Sequence, residues 1–265
     1  MKQTAPLFVI GGNEATGGAG IAADLRTLQA FDVFGAATIT CIVSFDPNDH
    51  WNHRFVAIDP QVIADQLEAT LATYDISVVK IGMLGTPDTV VAVKDALANH
   101  TFDHFVVDPV LICKGQEPGQ ALDTDLALRE HIIPRATFLT PNLFELATLT
   151  DSDVQTEDDL ARAATLLHEQ TGANILAKGG MRLPGPDAAD YFVGAGGAEW
   201  LRTAKIGDTP VNGAGCSLAS ATAAGLALGH DPATAAKNAK AFVTNGISHA
   251  LVGATPFVAL KQGRV

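Results

Sequence analysis

The 265-residue chain has little positive charge, few cysteines and no long apolar run. It contains 17 Lys and Arg against 29 Asp and Glu, a formal net charge of -12. Nucleic acids and anionic membranes attract basic surfaces, so we expect neither as a partner. The cysteines Cys41, Cys113 and Cys216 are far apart, which excludes a zinc or disulfide framework and favours a reducing cytoplasm. No apolar run approaches the roughly 20 residues of a membrane span, and no signal peptide is evident at the N-terminus.

The sequence also lacks the G-x-x-x-x-G-K-[ST] motif, which excludes a P-loop kinase. If the protein binds ATP, another segment must bind the phosphates. The best candidate is Gly213-Ala214-Gly215-Cys216, which directly precedes a run of small residues. A glycine turn that opens a helix presents free N–H groups at the positive end of the helix dipole. Such a turn is an anion site, although a tight loop before a well-packed helix is the alternative.

Strand and helix patterns alternate along the chain. Strands are expected at 7–12, 36–43, 76–81, 105–108, 137–140 and 174–178, with a hairpin at 189–193 and 199–203. Helices are expected at 19–34, 60–74, 87–99, 125–133, 143–149, 157–170, 215–227 and 232–250. Continuous apolar strands separated by helices indicate an α/β fold with a mainly parallel sheet covered on both faces, here as one domain over residues 1–265. Ligands of such folds bind at the carboxyl ends of the strands.

A second glycine segment opens the first long helix. Gly18-Ala19-Gly20-Ile21-Ala22-Ala23 formally matches the dinucleotide fingerprint, which leaves a dinucleotide-binding oxidoreductase as one alternative. Residues 13–16 separate it from the preceding strand, whereas a Rossmann turn follows its strand almost at once. A glycine loop lining a small-molecule pocket is therefore favoured. Asp24, one helical turn later, would point into that pocket or be a solvated acid on the helix face.

Polar residues follow three further strands. Asp108 and Glu145 are candidates to bind Mg²⁺ through water, since this ion favours one or two carboxylates plus phosphates. Asn142 and Glu145 also form a capping-box pattern, which is the structural alternative. Lys178 is either a cation for nucleotide phosphates or a strand-end lysine reaching solvent.

Six short segments form an ordered set: Gly17–Leu25 (GGAGIAADL), Lys80–Gly85 (KIGMLG), Asp108–Val110 (DPV), Thr140–Glu145 (TPNLFE), Lys178–Gly180 (KGG) and Gly213–Cys216 (GAGC). This set resembles the hydroxymethylpyrimidine (phosphate) kinases and the related vitamin B6 kinases of the ribokinase superfamily. The similarity extends over roughly residues 7–258 and implies a ribokinase-like three-layer α/β sandwich.

Departures from the pyrimidine-kinase pattern make the chain similar to the pyridoxal-kinase branch of Gram-positive bacteria. Cys113-Lys114-Gly115 replaces Ala-Lys-Ser, Phe144 replaces a usual Pro, and Ala214 replaces Thr in Gly-Thr-Gly-Cys. The glutamate that holds the aminopyrimidine would fall near Phe45, and its loss removes a charged partner for the pyrimidine amine. Asn13-Glu14 replaces the Ser-Asp of the common Gly-Ser-Asp, so the substrate contacts of this loop differ from the family pattern.

The resemblance implies phosphorylation of the 5′-hydroxymethyl group of pyridoxal, pyridoxine or pyridoxamine by Mg-ATP in a cytoplasmic homodimer. Hydroxymethylpyrimidine (phosphate) kinase and a B6-binding protein without turnover are the alternatives. The implied catalytic residues are Gly213, Ala214, Gly215 and Cys216, with Cys216 as the base. The implied acceptor site comprises Gly18, Gly20, Asp24, Phe45, Met83, Val110 and Cys113, with His53 in a covering loop. Asn142, Lys178, Gly213 and Gly215 would bind the nucleotide, Asp108 and Glu145 would bind Mg²⁺ largely through water, and Cys113 would form a hemithioacetal with pyridoxal.

Overall fold

A computed structural model describes residues 6–111, 118–253 and 257–263, with the backbone alone at 118–121. The strands are β1 (Leu7–Glu14), β2 (Gly35–Phe45), β3 (His53–Ala57), β4 (Val78–Ile81), β5 (His104–Val107), β6 (Phe138–Leu139), β7 (Asn174–Lys178), β8 (Asp187–Gly194), β9 (Gly197–Ala204), β10 (Val211–Asn212), β11 (Leu251–Val252) and β12 (Val258–Ala259). The helices are α1 (Gly20–Ala30), α2 (Pro60–Thr73), α3 (Pro87–Leu97), α4 (Pro118–His131), α5 (Leu143–Thr150), α6 (Glu157–Thr171), α7 (Ala214–Ala227) and α8 (Pro232–Ser248), with a 3-10 turn at Ile133–Arg135.

A nine-stranded sheet forms the middle layer of the fold. Its order is β3-β2-β1-β4-β5-β6-β7-β8-β9, and the strands from β2 to β7 in this order are parallel. At one edge β3 is antiparallel to β2, and at the other β8 is antiparallel to β7 and β9 is antiparallel to β8. Central strands are apolar on both sides, as β1 illustrates with its buried run Leu7–Ile10. One core lies beneath α2 to α6 and the other beneath α1, α7 and α8. The predicted three-layer α/β architecture is confirmed.

Helix starts follow the capping signals in the sequence. The Asp59 side chain accepts a hydrogen bond from the N–H of Gln61 at 2.8 Å, and Pro60 occupies the first turn of α2. Thr86 and Pro87 open α3 in the same way. These caps satisfy N–H groups that have no partner within a helix, so α2 and α3 begin where the sequence predicts. Helix α4, which was predicted at 125–133, begins at Pro118 instead.

The strand β3 and a small second sheet were not predicted. His53 was expected in a covering loop, but it begins β3, which pairs with β2 through Phe45↔His53 to Cys41↔Ala57. The second sheet has the order β10-β12-β11, and each of its strands has two residues. Strands this short show no periodic apolar pattern that could predict them.

In the described part of the chain, no helix is both long enough and apolar enough to cross a membrane.

Candidate active site

Two cavities flank the turn that joins β10 to α7. One, with a volume of about 330 Å³, is lined by Asn142 and Lys178 at the ends of β6 and β7 and by Ala214 and Gly215. The other, of about 250 Å³, is lined by ends of β1, β2 and β4, by Asn212 and by Cys216. Residues of one turn therefore face two compartments. We call them the nucleotide cavity and the acceptor cavity after the residues that the sequence analysis predicts to bind each substrate.

The turn itself depends on glycine. Gly213 is the N-cap of α7 with φ +83°, and a Cβ there would collide with the carbonyl oxygen of Gly18. Helix α7 begins at Ala214, and Ser217 donates a backbone hydrogen bond to Gly213 at 2.9 Å. The N–H groups of Ala214, Gly215 and Cys216 precede that first helical bond, so they have no acceptor within the helix. The predicted geometry of an anion site is present.

The first glycine loop packs against this turn. Gly18 packs against Gly213, and its N–H donates to the Glu14 carboxylate at 2.9 Å. That carboxylate also accepts from the N–H of Thr16 at 2.6 Å and from the side-chain amide of Asn212 at 3.3 Å. The Glu14 carboxylate thus connects the end of β1 to β10 through its hydrogen bond with Asn212. Glu14 and Asn212 both line the acceptor cavity, although neither was predicted as a site residue.

A buried ion pair lies behind the acceptor cavity. Asp24 was expected to line this cavity or to be solvated, but it is 1% exposed and its carboxylate bonds Lys80 Nζ at 3.0 and 3.1 Å. Ser220 donates a further hydrogen bond to Asp24 at 2.7 Å. Lys80, not Asp24, reaches the cavity wall. Burial alone would lower the pKa of Lys80, but the Asp24 carboxylate raises it above its usual value, so the ammonium stays charged.

Cys216 is half-buried and lines the acceptor cavity. Burial raises the pKa of this thiol to about 11, although Lys80 and the N–H of Gly20 act in the opposite direction. A helix N-terminus acts to favour the thiolate. Removal from water outweighs that effect, so the thiol is protonated at neutral pH when the site is empty.

A cluster of charged residues lies beside Gly215 at the ends of β5, β6 and β7. Lys178 Nζ is 2.7 Å from Asp108 and 3.9 Å from Glu145, so it is paired rather than extended into solvent. Thr140 donates to Asp108 at 3.1 Å. Burial alone would raise the pKa of Asp108, but Lys178 and Lys80 hold it below its usual range. A Cβ on Gly215 would lie 3.5 Å from Lys178 Nζ and 3.9 Å from Asp108 Oδ2, which places both charges at the turn.

Glu145 has a double role in this cluster. It forms a capping box with Asn142, whose N–H donates to Glu145 at 2.7 Å while the Glu145 N–H donates back to the Asn142 side chain at 3.0 Å. Burial raises the pKa of Glu145 to about 7, and Asp108 adds to the increase while Lys178 opposes it. Two buried carboxylates thus share the Lys178 ammonium, and at neutral pH Glu145 is only partly ionised, so a cation bound here would favour loss of its proton. This donor set fits Mg²⁺, which binds one or two carboxylates and keeps several waters.

The predicted acceptor residues divide into three groups. Phe45, Met83, Val110, His53 and Gly20 line the acceptor cavity. Asp24 and Gly18 do not line it: Asp24 pairs with Lys80 and Gly18 packs against Gly213. Cys113 lies outside the described residues.

An ion pair in the nucleotide cavity was not predicted. Lys240 of α8 donates to Asp190 of β8 at 2.7 Å and to the carbonyl oxygen of Ala188 at 2.9 Å. The other Asp190 oxygen accepts the N–H of Gly180 at 3.1 Å, next to the strand end that carries Lys178. Both charged residues line the cavity. No sequence motif indicates this pair, because Asp190 and Lys240 are 50 positions apart in sequence.

Comparison with known proteins gives a consistent set of matches. The phosphomethylpyrimidine kinase family model matches residues 14–256. A pyridoxine kinase of Bacillus subtilis is 36% identical over 261 residues, which cover 96% of each chain. A hydroxymethylpyrimidine/phosphomethylpyrimidine kinase of Haemophilus influenzae is 33% identical over 254 residues, which cover 95% of this chain and 94% of that one.

Solved structures match over a similar extent. An ADP complex of Bacillus subtilis pyridoxal kinase has a TM-score of 0.91 and 34% identity, and 98% of each chain is covered. Pyridoxal kinase from Staphylococcus aureus in complex with AMP-PCP and pyridoxal has a TM-score of 0.88 and 31% identity, with 98% of this chain and 94% of that chain covered.

Proposed function

We infer the activity of this chain from its family, because it belongs to the phosphomethylpyrimidine kinase family over residues 14–256. It is a vitamin B6 kinase, which transfers the γ-phosphoryl group of ATP to the 5′-hydroxymethyl group of pyridoxal, pyridoxine or pyridoxamine. The observation that carries this inference within the structure is the pair of cavities on either side of one glycine turn. A nucleotide in one cavity and an alcohol in the other would meet at that turn.

The chemistry follows from this arrangement. Phosphoryl transfer needs positioning and charge stabilisation more than covalent participation by the protein. We propose that the N–H groups of Ala214, Gly215 and Cys216 hold the transferring phosphoryl group, with Lys178 beside it. Asn142 and Lys178 would contact the nucleotide, and Asp108 and Glu145 would hold Mg²⁺ largely through water. The metal, when bound, neutralises charge on the phosphate oxygens.

Cys216 is proposed as the acceptor of the 5′-hydroxyl proton. Cys216 lines the acceptor cavity, yet the pKa of its thiol, about 11, means that the thiol must first lose its own proton to solvent when substrates bind. Cys216→Asp should then retain activity, whereas Cys216→Ala should lose most of kcat. A near-wild-type kcat in Cys216→Ala would refute the role.

Hydroxymethylpyrimidine kinase is the second candidate, because the family model and the Haemophilus influenzae relative carry that activity in their names. Phe45 argues for the B6 ring, since it gives the cavity wall an uncharged aromatic side chain. The Glu14 carboxylate at the cavity is occupied by backbone N–H donors, so it is not a free partner for a pyrimidine amine.

Initial rates of ADP release with Mg-ATP would test the proposal. The acceptors to compare are pyridoxal, pyridoxine, pyridoxamine, hydroxymethylpyrimidine and its monophosphate, with an acceptor-free control for ATP hydrolysis. A higher kcat/KM for a B6 vitamer supports the B6 kinase. A higher value for the pyrimidines selects the second candidate, and no turnover with any acceptor refutes both.

Three further proposals extend this function. Cys113 would add reversibly to the aldehyde of pyridoxal, and an aldehyde absorbance change that Cys113→Ala abolishes would test it. The chain would act as one kinase domain over residues 1–265 in a homodimer, which light scattering after gel filtration can check. A cytoplasmic location is proposed from the composition, and fractionation of expressing cells can test it.

A further inference from the structure

An aromatic cluster covers one side of the acceptor cavity. Phe45, at the end of β2, lines this cavity together with His53, and their ring centroids are 4.7 Å apart at 69°. Phe257 stacks on Phe45 with a centroid distance of 4.1 Å and an interplanar angle of 22°. Trp51 meets Phe257 edge-on at 6.2 Å. The stacking partner of a cavity-wall residue thus comes from the last residues of the chain.

Phe257 is fixed by a strand that also holds the phosphate-binding turn. It immediately precedes β12, whose Val258 and Ala259 pair with Val211 and Asn212 of β10. Leu260, which is 2% exposed, continues this contact, because its N–H donates to the Asn212 carbonyl oxygen at 3.0 Å. Residue 213, the N-cap of α7, follows β10 directly. One strand therefore connects the aromatic wall to the turn.

We propose that Phe257 is a positioning residue for the acceptor site, and this proposal rests on the proposed kinase function. Phe257 acts through Phe45: its ring holds the Phe45 ring in place against the cavity, and β12 sets the position of that wall relative to the Gly213 turn. Offset-stacked aromatic pairs have a preferred geometry, which a smaller or aliphatic side chain cannot reproduce. Loss of the Phe257 ring should therefore leave the nucleotide cavity intact and weaken only the binding of the acceptor.

Steady-state kinetics of Phe257→Ala would test the proposal, with the acceptor that the wild-type enzyme turns over best. We expect KM for the acceptor to rise about tenfold, in line with the loss of one aromatic pair, while KM for Mg-ATP changes by less than about twofold. Phe257→Tyr keeps the ring and should restore the acceptor KM. Phe257→Leu keeps much of the volume without a ring and should behave like Phe257→Ala.

A control variant separates this effect from general loosening of the small sheet. Val252 pairs with Val258 across β11 and β12 and is 79% exposed, so Val252→Ala perturbs the same sheet and retains every ring of the aromatic cluster. It should leave both KM values unchanged. Equal increases of both KM values in Phe257→Ala, or a change in acceptor KM below about twofold, would overturn the proposal.

Acceptor binding can also be measured without turnover. The chain has two tryptophans, so a Trp200→Phe background leaves Trp51, which contacts Phe257, as the reporter. Pyridoxal should change Trp51 fluorescence, and Phe257→Ala should weaken the apparent affinity about tenfold. This measurement distinguishes failure of the kinase function from failure of the positioning role. If no acceptor is phosphorylated but Phe257→Ala still weakens the affinity for pyridoxal, the kinase function alone is refuted. If the affinity for pyridoxal is unchanged in Phe257→Ala, the positioning role is refuted.

Discussion

Replacement of Gly213 by alanine would test the phosphate-binding turn directly. Gly213 has φ +83°, and a Cβ there would lie well within 3.0 Å of the Gly18 carbonyl oxygen. The left-handed backbone alone costs a residue with a Cβ about 1–2 kcal/mol. The collision adds a second effect, since neither backbone segment can rotate away as a flexible side chain would. The turn must move by about 1 Å, and a displacement of that size at reacting groups can reduce kcat on the order of 10²-fold.

The other end of the same helix provides a matched control. Gly229 follows α7 with φ +85°, and a Cβ built there meets no atom within 4 Å. Gly229→Ala therefore carries the left-handed strain without the collision. For a chain of this size, it should lower Tm by roughly 2–8 °C and leave kcat unchanged.

The assay compares both variants in thermal unfolding and in ADP release with saturating Mg-ATP and acceptor. Gly213→Ala should lower Tm at least as much as Gly229→Ala and should lose about a hundredfold in kcat. The reasoning would be refuted if Gly213→Ala kept kcat within about threefold of the wild type. It would also be refuted if Gly229→Ala lost as much kcat as Gly213→Ala, because the collision would then not be the cause.

Three other predictions concern ionisable groups. Since the thiol pKa of Cys216 is about 11 rather than 9.0, alkylation of Cys216 at pH 8 should be about a hundredfold slower than for an ordinary thiol, as peptide mass spectrometry can measure. Folding raises the pKa of Glu145 from 4.5 to about 7, so the folded state binds more protons in this range. The free energy of unfolding of the nucleotide-free protein should therefore fall from pH 4.5 to 7 relative to Glu145→Gln, which denaturant titration can check. Lys240→Met should destabilise the fold by about 3–5 kcal/mol, because it leaves Asp190 buried without its cation, and the added Asp190→Asn substitution should recover part of that loss in denaturant melts.

The layer architecture could be predicted because local chemistry and tertiary packing agree in the long elements. Strand β1 is apolar on both faces and lies within the parallel part of the sheet, where both faces are covered. Its apolar sequence therefore predicts the buried position that it occupies. The strand β3 differs. Its residues are half-buried or exposed, and it forms only by pairing with β2 at the sheet edge, so no apolar pattern marks it.

The candidate site was predictable where a motif combines glycines with a helix start or a strand end. The turn at Gly213 and the strand end at Lys178 were found in this way. Lys80 was missed as a site residue and Asp24 was placed in the cavity instead, because the sequence does not indicate which member of a buried pair faces inward. The Asp190–Lys240 pair and the Phe45–Phe257 stack join distant segments, so their partners become evident only in the folded structure.

The charge distribution explains why the turn must supply most of the anion binding. The chain carries a net charge of -12, yet its proposed substrate is a polyanion. The side chain of Lys80 is 1% exposed and that of Lys178 is 15% exposed, and an unpaired lysine removed from water tends to lose its proton. Pairing Lys80 with Asp24 and Lys178 with Asp108 keeps the ammonium groups charged but cancels most of their net charge. Backbone N–H groups at the start of α7 keep their partial positive charge without ionisation and need no paired carboxylate to hold it. The backbone of this turn, more than either lysine, is therefore the element that would hold a phosphoryl group.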